Sequence, residues 1–323
     1  MRTRKLGKTD LNLTTVGLGT WAIGGPWEYG WGPQNDADSV AAIRTALESG
    51  INWIDTAPAY GCGHGEEVVG KVLREVGEMP IVATKCGILW NEKREKMTCL
   101  KAKSVRAECD ASLRRLGVDV IDLYQMHWPD PDADVEEGWE AMVRLREAGK
   151  VRHIGASNFS LRHLERVERI ERPVSLQPPY SMIKRDAEAV LLPYCREHEM
   201  GVVAYSPMQK GLLTGKYTPE KVAELAPDDH RRRDPDFVGR RLEANMELAK
   251  GIADLARGYG RTAGQFAVAW VLRNDEVTAA IVGARNRRQI EETVQAGDWA
   301  LDEEALARAD ELLERHKGQI ENA

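Results

Sequence analysis

Short apolar runs bounded by turn residues alternate with amphipathic stretches eight times along this chain, and that alternation restricts the fold more than any other feature. The runs are Val16–Thr20, Asn52–Thr56, Ile81–Cys86, Val118–Gln125, Val151–Ser157, Val174–Pro178, Val202–Ser206 and Ala279–Val282. Their length and β-branched content mark buried strands. The intervening segments read as helices. "SVRAECDASLRRLG" has Ser104 as its predicted N-cap and Gly117 as its stop, and "SLRHLERVERI" puts Leu161, Leu164 and Val167 on one face. Strand and helix in strict alternation build right-handed βαβ units on a parallel sheet, and eight units close into an α/β (β/α)8 TIM barrel. An open doubly wound sheet ranks second, because no Gly-x-Gly-x-x-Gly turn joins any strand to a helix.

The 323 residues suit one barrel domain spanning 1–323. Before the first strand, two extended stretches around Gly7-Lys8-Thr9-Asp10 predict a β-hairpin. The segment Thr218–Arg241 is too polar for an interior and too long for an ordinary connection, so it predicts a long loop over the active face. Its Arg231-Arg232-Arg233 run, bracketed by acids, reads as solvated. Helices are expected at Leu242–Tyr259, Thr262–Asn274 and about Asp302–His316, followed by a short tail.

A net charge of −6 argues against nucleic acid or an anionic membrane as a partner. The opening "MRTRKLGKTDLN" has no apolar signal region, and no run approaches a membrane span. Five cysteines without CxxC spacing fit reduced thiols and offer no zinc site, so a cytoplasmic enzyme without a metal is expected.

Four polar residues stand at or just beyond strand ends, where α/β enzymes keep their chemistry: Asp55, Tyr60, Lys85 and His127. A phenol titrates near ~10, too weakly acidic for efficient acid work at neutral pH. An ammonium at Lys85 would make Tyr60 more acidic, Asp55 would keep Lys85 charged, and His127 would polarise a substrate carbonyl. Taken singly, each has a plainer explanation: a rim tyrosine, a solvated lysine or histidine, an aspartate cap. The ordered set on successive strands is what points to catalysis.

The motifs "GLGTW" (Gly17–Trp21), "GINWIDTAPAYG" (Gly50–Gly61) and "ATK" (Ala83–Lys85) resemble those of the aldo-keto reductase superfamily. "SLRRLGVDVIDLYQMHWPD" (Ser112–Asp130), "GKVRHIGASNFS" (Gly149–Ser160) and "AYSPMQKGLLTGKY" (Ala204–Tyr217) continue the likeness in order. Within that superfamily the chain looks most similar to bacterial general-stress and inositol-utilisation reductases. The resemblance implies a barrel plugged by the hairpin, with Asp55, Tyr60, Lys85 and His127 as the catalytic tetrad.

It also implies a nicotinamide cofactor across the strand ends, contacted by Gly19, Thr20, Trp21 and Asp55 on the early strands. Ser157, Asn158 and Gln177 would clamp the carboxamide, Tyr205 would stack on the ring, and Ser206, Pro207, Met208, Gln209, Gly211 and Leu212 would cross the pyrophosphate. Gly283, Arg285, Gln289 and Glu292 would face the adenosine end, with Arg285, or Arg288 nearby, reading a 2′-phosphate. NADP(H) is therefore expected, with NAD(H) possible because Gln289 stands where an arginine is frequent. Trp21, Trp90, His127 and Trp128 are the expected substrate contacts. The activity implied is reversible reduction of an aldehyde or ketone to an alcohol by NADPH, with aromatic or alicyclic carbonyls expected to be favoured over short aliphatic ones. Two alternatives stay open: a cofactor-binding regulatory subunit of the channel β-subunit type, and a barrel enzyme using Lys85 as a Schiff-base nucleophile. The sequence leaves the oligomeric state undefined.

Overall fold

The computed structural model describes residues 1–321. Eight parallel strands close into a barrel: β3 (Val16–Gly19), β4 (Trp53–Asp55), β5 (Ile81–Cys86), β8 (Ile121–Met126), β9 (Val151–Ser157), β10 (Ser175–Gln177), β11 (Gly201–Tyr205) and β12 (Ala279–Gly283), which pairs back onto β3. Two antiparallel hairpins lie outside it, β1 (Thr3–Lys5) with β2 (Asn12–Thr14), and β6 (Ile88–Trp90) with β7 (Lys96–Thr98). The helices coating the barrel begin with α1 (Asp36–Glu48), α2 (His64–Leu73), α3 (Ala102–Leu116), α4 (Val135–Glu147), α5 (Leu161–Glu168) and α6 (Leu191–Glu197). They continue with α7 (Pro219–Ala223), α8 (Gly239–Gly258), α9 (Ala263–Leu272), α10 (Arg287–Thr293) and α11 (Glu303–Glu321).

Period-two alternation sorts each strand into an outward residue under the helices and an inward one. Ile54, Val82, Tyr124, Leu176 and Val202 join the large outer core. Trp53, Ala83, Leu123, Val203, Ala279 and Ile281 form a separate inner core with Leu6, Leu11 and Leu13 of the first hairpin. The hairpin therefore plugs the amino-terminal end of the barrel, as expected from sequence. Its turn fits only because Gly7 has φ +52° and no side chain: a Cβ there would sit 2.7–2.9 Å from Glu199 O, Val174 O and Gly201 N. With that end filled by leucines, the open end is left to the residues that follow on the same inward rows.

Several local expectations need correction. Ser104 lies inside α3, which starts at Ala102 with Lys101 as N-cap, and its Oγ donates to Glu108 Oε1 at 3.0 Å. Gly117 does end the helix in the left-handed region, and its Schellman-like turn extends to Val118, so β8 starts only at Ile121. The 218–241 segment is not a bare loop. It holds α7 and two 3-10 turns, and His230, Arg231, Asp236 and Phe237 are buried. Arg231 is not solvated, because it pairs with Asp229 and donates to the Tyr217 hydroxyl. Charged residues that pair with one another can be buried, which composition alone does not show. No helix among the described residues is long and apolar enough to cross a membrane.

Candidate active site

The carboxyl ends of the inward rows carry Gly19, Asp55, Lys85, Gln125, Ser157, Gln177 and Tyr205, a polar layer above the apolar inner core. Parallel pairing sets Gly19 beside Asp55 and Lys85 beside Gln125. Lys85 is wholly buried, and its Nζ donates to Asp55 Oδ1 at 2.6 Å, Thr56 O at 2.9 Å and the Tyr60 hydroxyl at 3.2 Å. Gln177 Nε2 and Gln125 Nε2 donate to the other Asp55 oxygen at 2.8 and 3.3 Å. Asp55 is thus held by an ammonium and two amides, which compensates for its removal from water.

Tyr60 is carried by the turn after β4 and fixed by close backbone packing. Its N–H donates to Ala57 O, and the Gly65 N–H donates to its carbonyl. A Cβ at Gly61, φ +70°, would fall 1.7 Å from Gly24 O, so this glycine lets the Tyr60 turn seat against the loop after β3. His127 follows β8, its N–H donating to Cys86 O and its ring lying edge-on to Tyr60 at 6.0 Å. All four predicted residues therefore meet at one point.

The electrostatics differ from expectation in one respect. Burial, reinforced by Asp55, pushes the Tyr60 phenol well above its ordinary 10. The phenol stays above its ordinary value even with Lys85 Nζ 3.2 Å from its hydroxyl, and burial lowers the lysine itself, with Asp55 opposing that shift. Burial and the charges of Lys85 and Lys96 hold His127 well below 6.5, so it is a neutral imidazole at physiological pH. The resting arrangement is a protonated phenol beside a neutral histidine.

A cavity of about 890 Å³ runs from this point across the strand ends. It is lined by Asp55, Tyr60, His127, Trp21, Trp128 and Gly19, then by Ser157, Asn158, Gln177 and Tyr205, then by Ser206, Pro207, Met208 and Gly211. Its far end reaches Gly283, Arg285, Gln289 and Glu292. Asn158 donates to His127 O and accepts from the Tyr205 hydroxyl at 2.8 Å, which ties the middle of the cavity to the tetrad.

Five expected contacts are absent from the lining, among them Arg288, which is exposed on α10. Thr20 donates to Asp55 O, Gln209 bridges Ser181 and Asp236, and Leu212 packs with Phe237 and Leu242. Trp90, on β6, packs with Trp27 and Ile88 instead. Arg285 lines the far end, yet its guanidinium donates to Gln34 Oε1, Trp31 O and Pro33 O. Gln289 caps the Arg285 N–H, and Glu292 pairs with Lys216.

Sequence reading missed Gln125, which the inward rhythm of Leu123 and Gln125 on β8 signalled. It also missed a cover formed by two distant segments. His230 stacks on Trp21 at 4.6 Å and bonds Gly30 O, while Arg231 lies over the Trp31 ring at 4.4 Å. Trp27, Tyr29, Ile88 and Lys96 complete the wall beside His127 and Trp128.

The chain matches the aldo/keto reductase family over residues 15–314. It is 38% identical over 317 residues to aldo-keto reductase YhdN of Bacillus subtilis, covering 97% of this chain and 94% of that one. It is 35% identical over 314 residues to an NADH-specific methylglyoxal reductase of Escherichia coli, covering 92% and 93% respectively. The solved structure of glycerol dehydrogenase AKR11B4 from Gluconobacter oxydans superposes with a TM-score of 0.88 at 37% identity, covering 97% of this chain and 95% of that one. The chain belongs to the aldo/keto reductase family and is a nicotinamide-dependent oxidoreductase.

Proposed function

We propose that this protein reversibly reduces an aldehyde or ketone to an alcohol in the cytoplasm, with Tyr60 as proton donor. The observation that carries this reading is the buried Lys85 ammonium, which donates to both Asp55 and the Tyr60 hydroxyl at the mouth of the cavity. The cavity suits a dinucleotide in its volume of about 890 Å³ and its lining: side-chain amides at Asn158 and Gln177, the Tyr205 ring, and Gly211 with φ +90° where backbone must come close. Bound there, a nicotinamide supplies or accepts the hydride.

The protein's own groups do the rest. His127, neutral and at the site's edge, donates a hydrogen bond to the substrate oxygen and polarises it. Tyr60, protonated at rest, delivers its proton to that oxygen as negative charge builds. The phenolate left behind lies 3.2 Å from Lys85 Nζ, so the ammonium stabilises the product of proton transfer. Asp55, Gln125 and Gln177 keep that ammonium in place.

For the cofactor, NADP(H) is preferred and NAD(H) accepted. The preference is modest, because Arg285 is already bonded to the 31–34 segment and recognition of a 2′-phosphate falls to Arg288, exposed on α10. A homologue described as NADH-specific is in keeping with a weak phosphate site. The test is NADPH and NADH consumption over a panel of aldehydes and ketones, with Tyr60→Phe alongside. Cofactor binding without turnover of any carbonyl would overturn the reading and favour a regulatory subunit.

A further inference from the structure

Six cationic side chains line the long cavity, and five of them are engaged. Lys210 pairs with Asp234, Lys216 with Glu292 and Arg231 with Asp229. Lys221 donates to Lys216 O, and Arg285 to Gln34 and two loop carbonyls. Lys96 differs. Standing on β7, it lines the cavity with no acidic partner among the described residues, and its ammonium rests 5.1 Å from the centre of the Tyr29 ring.

Its position fixes what it can act on. The neighbouring wall is Trp21, Trp27, Tyr29, Ile88 and Trp128, apolar apart from indole and phenol edges, with His127 at its base. The Lys96 charge is felt at His127, where it adds to the forces keeping that imidazole neutral. Lys96 is exposed and paired with no carboxylate among the described residues, although Glu28 bonds the hydroxyl of the Tyr29 beneath it. A cation so placed, near the group that grips the carbonyl oxygen, leaves an attractive potential for an anion on the substrate side.

We propose that Lys96 is a specificity-determining residue that selects carbonyl substrates bearing an anionic group, a carboxylate or a phosphate, on a body that packs against the tryptophans. This rests on the carbonyl-reductase reading and narrows its substrate class. An ammonium on a flexible stem suits such a role, since it can follow anions placed at slightly different distances from the carbonyl.

The test compares 4-carboxybenzaldehyde with its neutral methyl ester, methyl 4-formylbenzoate, under the same cofactor. Succinic semialdehyde against butanal, and glyceraldehyde 3-phosphate against glyceraldehyde, tell carboxylate from phosphate recognition. In Lys96→Met the kcat/KM for the favoured anion should fall about tenfold more than that for its neutral partner, mostly through KM. Lys96→Arg should retain the discrimination, and added salt should shrink it in the unmodified protein. An anion-to-neutral ratio that is the same in the unmodified protein and Lys96→Met, for all three pairs, would overturn the inference while the neutral aldehydes still report a working reductase. Failure of every aldehyde, neutral ones included, would overturn the carbonyl-reductase reading and this inference with it.

Discussion

Replacing Lys85 with methionine tests the proposed chemistry most directly, because the lysine is wholly buried and touches both partners. A unit charge 3.2 Å from a phenolate, at an effective dielectric constant near 20, contributes about 5 kcal/mol of attraction. Asp55, bonded to the same ammonium at 2.6 Å, offsets part of that. A net loss of about 3–5 kcal/mol corresponds to a fall in turnover of roughly 10²–10⁴-fold. Removing the cation raises the phenol's pKa further, so the alkaline rise of alcohol oxidation should move to higher pH.

The same substitution leaves Asp55 buried with only Gln125 and Gln177 as donors, which destabilises the fold by about 3–5 kcal/mol if no relaxation occurs. Lost activity therefore has to be separated from lost folding. Asp55→Asn combined with Lys85→Met removes both charges and should recover most of the thermal stability while turnover stays low. Steady-state consumption of reduced cofactor, quenching of tryptophan fluorescence by NADPH and thermal melts read the three quantities. A folded Lys85→Met protein that binds NADPH, turns over within tenfold of the unmodified enzyme and keeps its pH profile would refute the role given to Lys85.

Tyr60→Phe should cut turnover by roughly 10²–10⁴-fold with NADPH affinity unchanged, measured by the same assays. Arg285→Ala should leave the ratio of NADPH to NADH affinity unchanged while loosening the 31–34 segment, and Arg288→Ala should narrow that ratio; fluorescence titration of both cofactors decides between them. Trp128→Ala should change selectivity among carbonyls, whereas Trp90→Ala, outside the cavity lining, should not, as kcat/KM over an aldehyde panel will show. Burial lowers His230 from 6.5 to about 4, reinforced by Lys210 and Arg231. Because the folded state then binds fewer protons than the unfolded one, the cover keeps its full stability above 6.5 and loses up to about 3 kcal/mol as pH falls towards 4. Tryptophan fluorescence across that window, compared with His230→Asn, should report the loosening.

The barrel was legible because each strand announces itself locally. Ile81–Cys86 and Val151–Ser157 were bounded correctly, since a buried parallel strand is a continuous apolar run with turn residues at its ends. Asp55 and Lys85 were legible for the same reason, as polar residues ending such runs. Ser104 was misplaced because a serine in the first turn of a helix carries much the same signal as one that caps it, and here it bonds Glu108 rather than the backbone. Trp90 was misplaced because sequence gives the loop but not the side of the hairpin on which the indole packs.

The cover over the cavity was illegible for a different reason. Gly30 and His230 are 200 residues apart in sequence, and nothing near either one predicts the other. In 218–241, hydrophobic periodicity is weak because the segment is held by stacking and paired charge: His230 on Trp21, Arg231 on Trp31 and Asp229, Arg233 on Glu28 O. Arg285 extends the same arrangement to the far end of the cavity by gripping Trp31 O and Pro33 O. The 21–34 segment therefore joins the part of the cavity around Trp21 and Trp31 to its far end at Arg285. Arg285, which lines the cavity, is also tied by its guanidinium to that segment, and only the folded barrel brings its partners within reach.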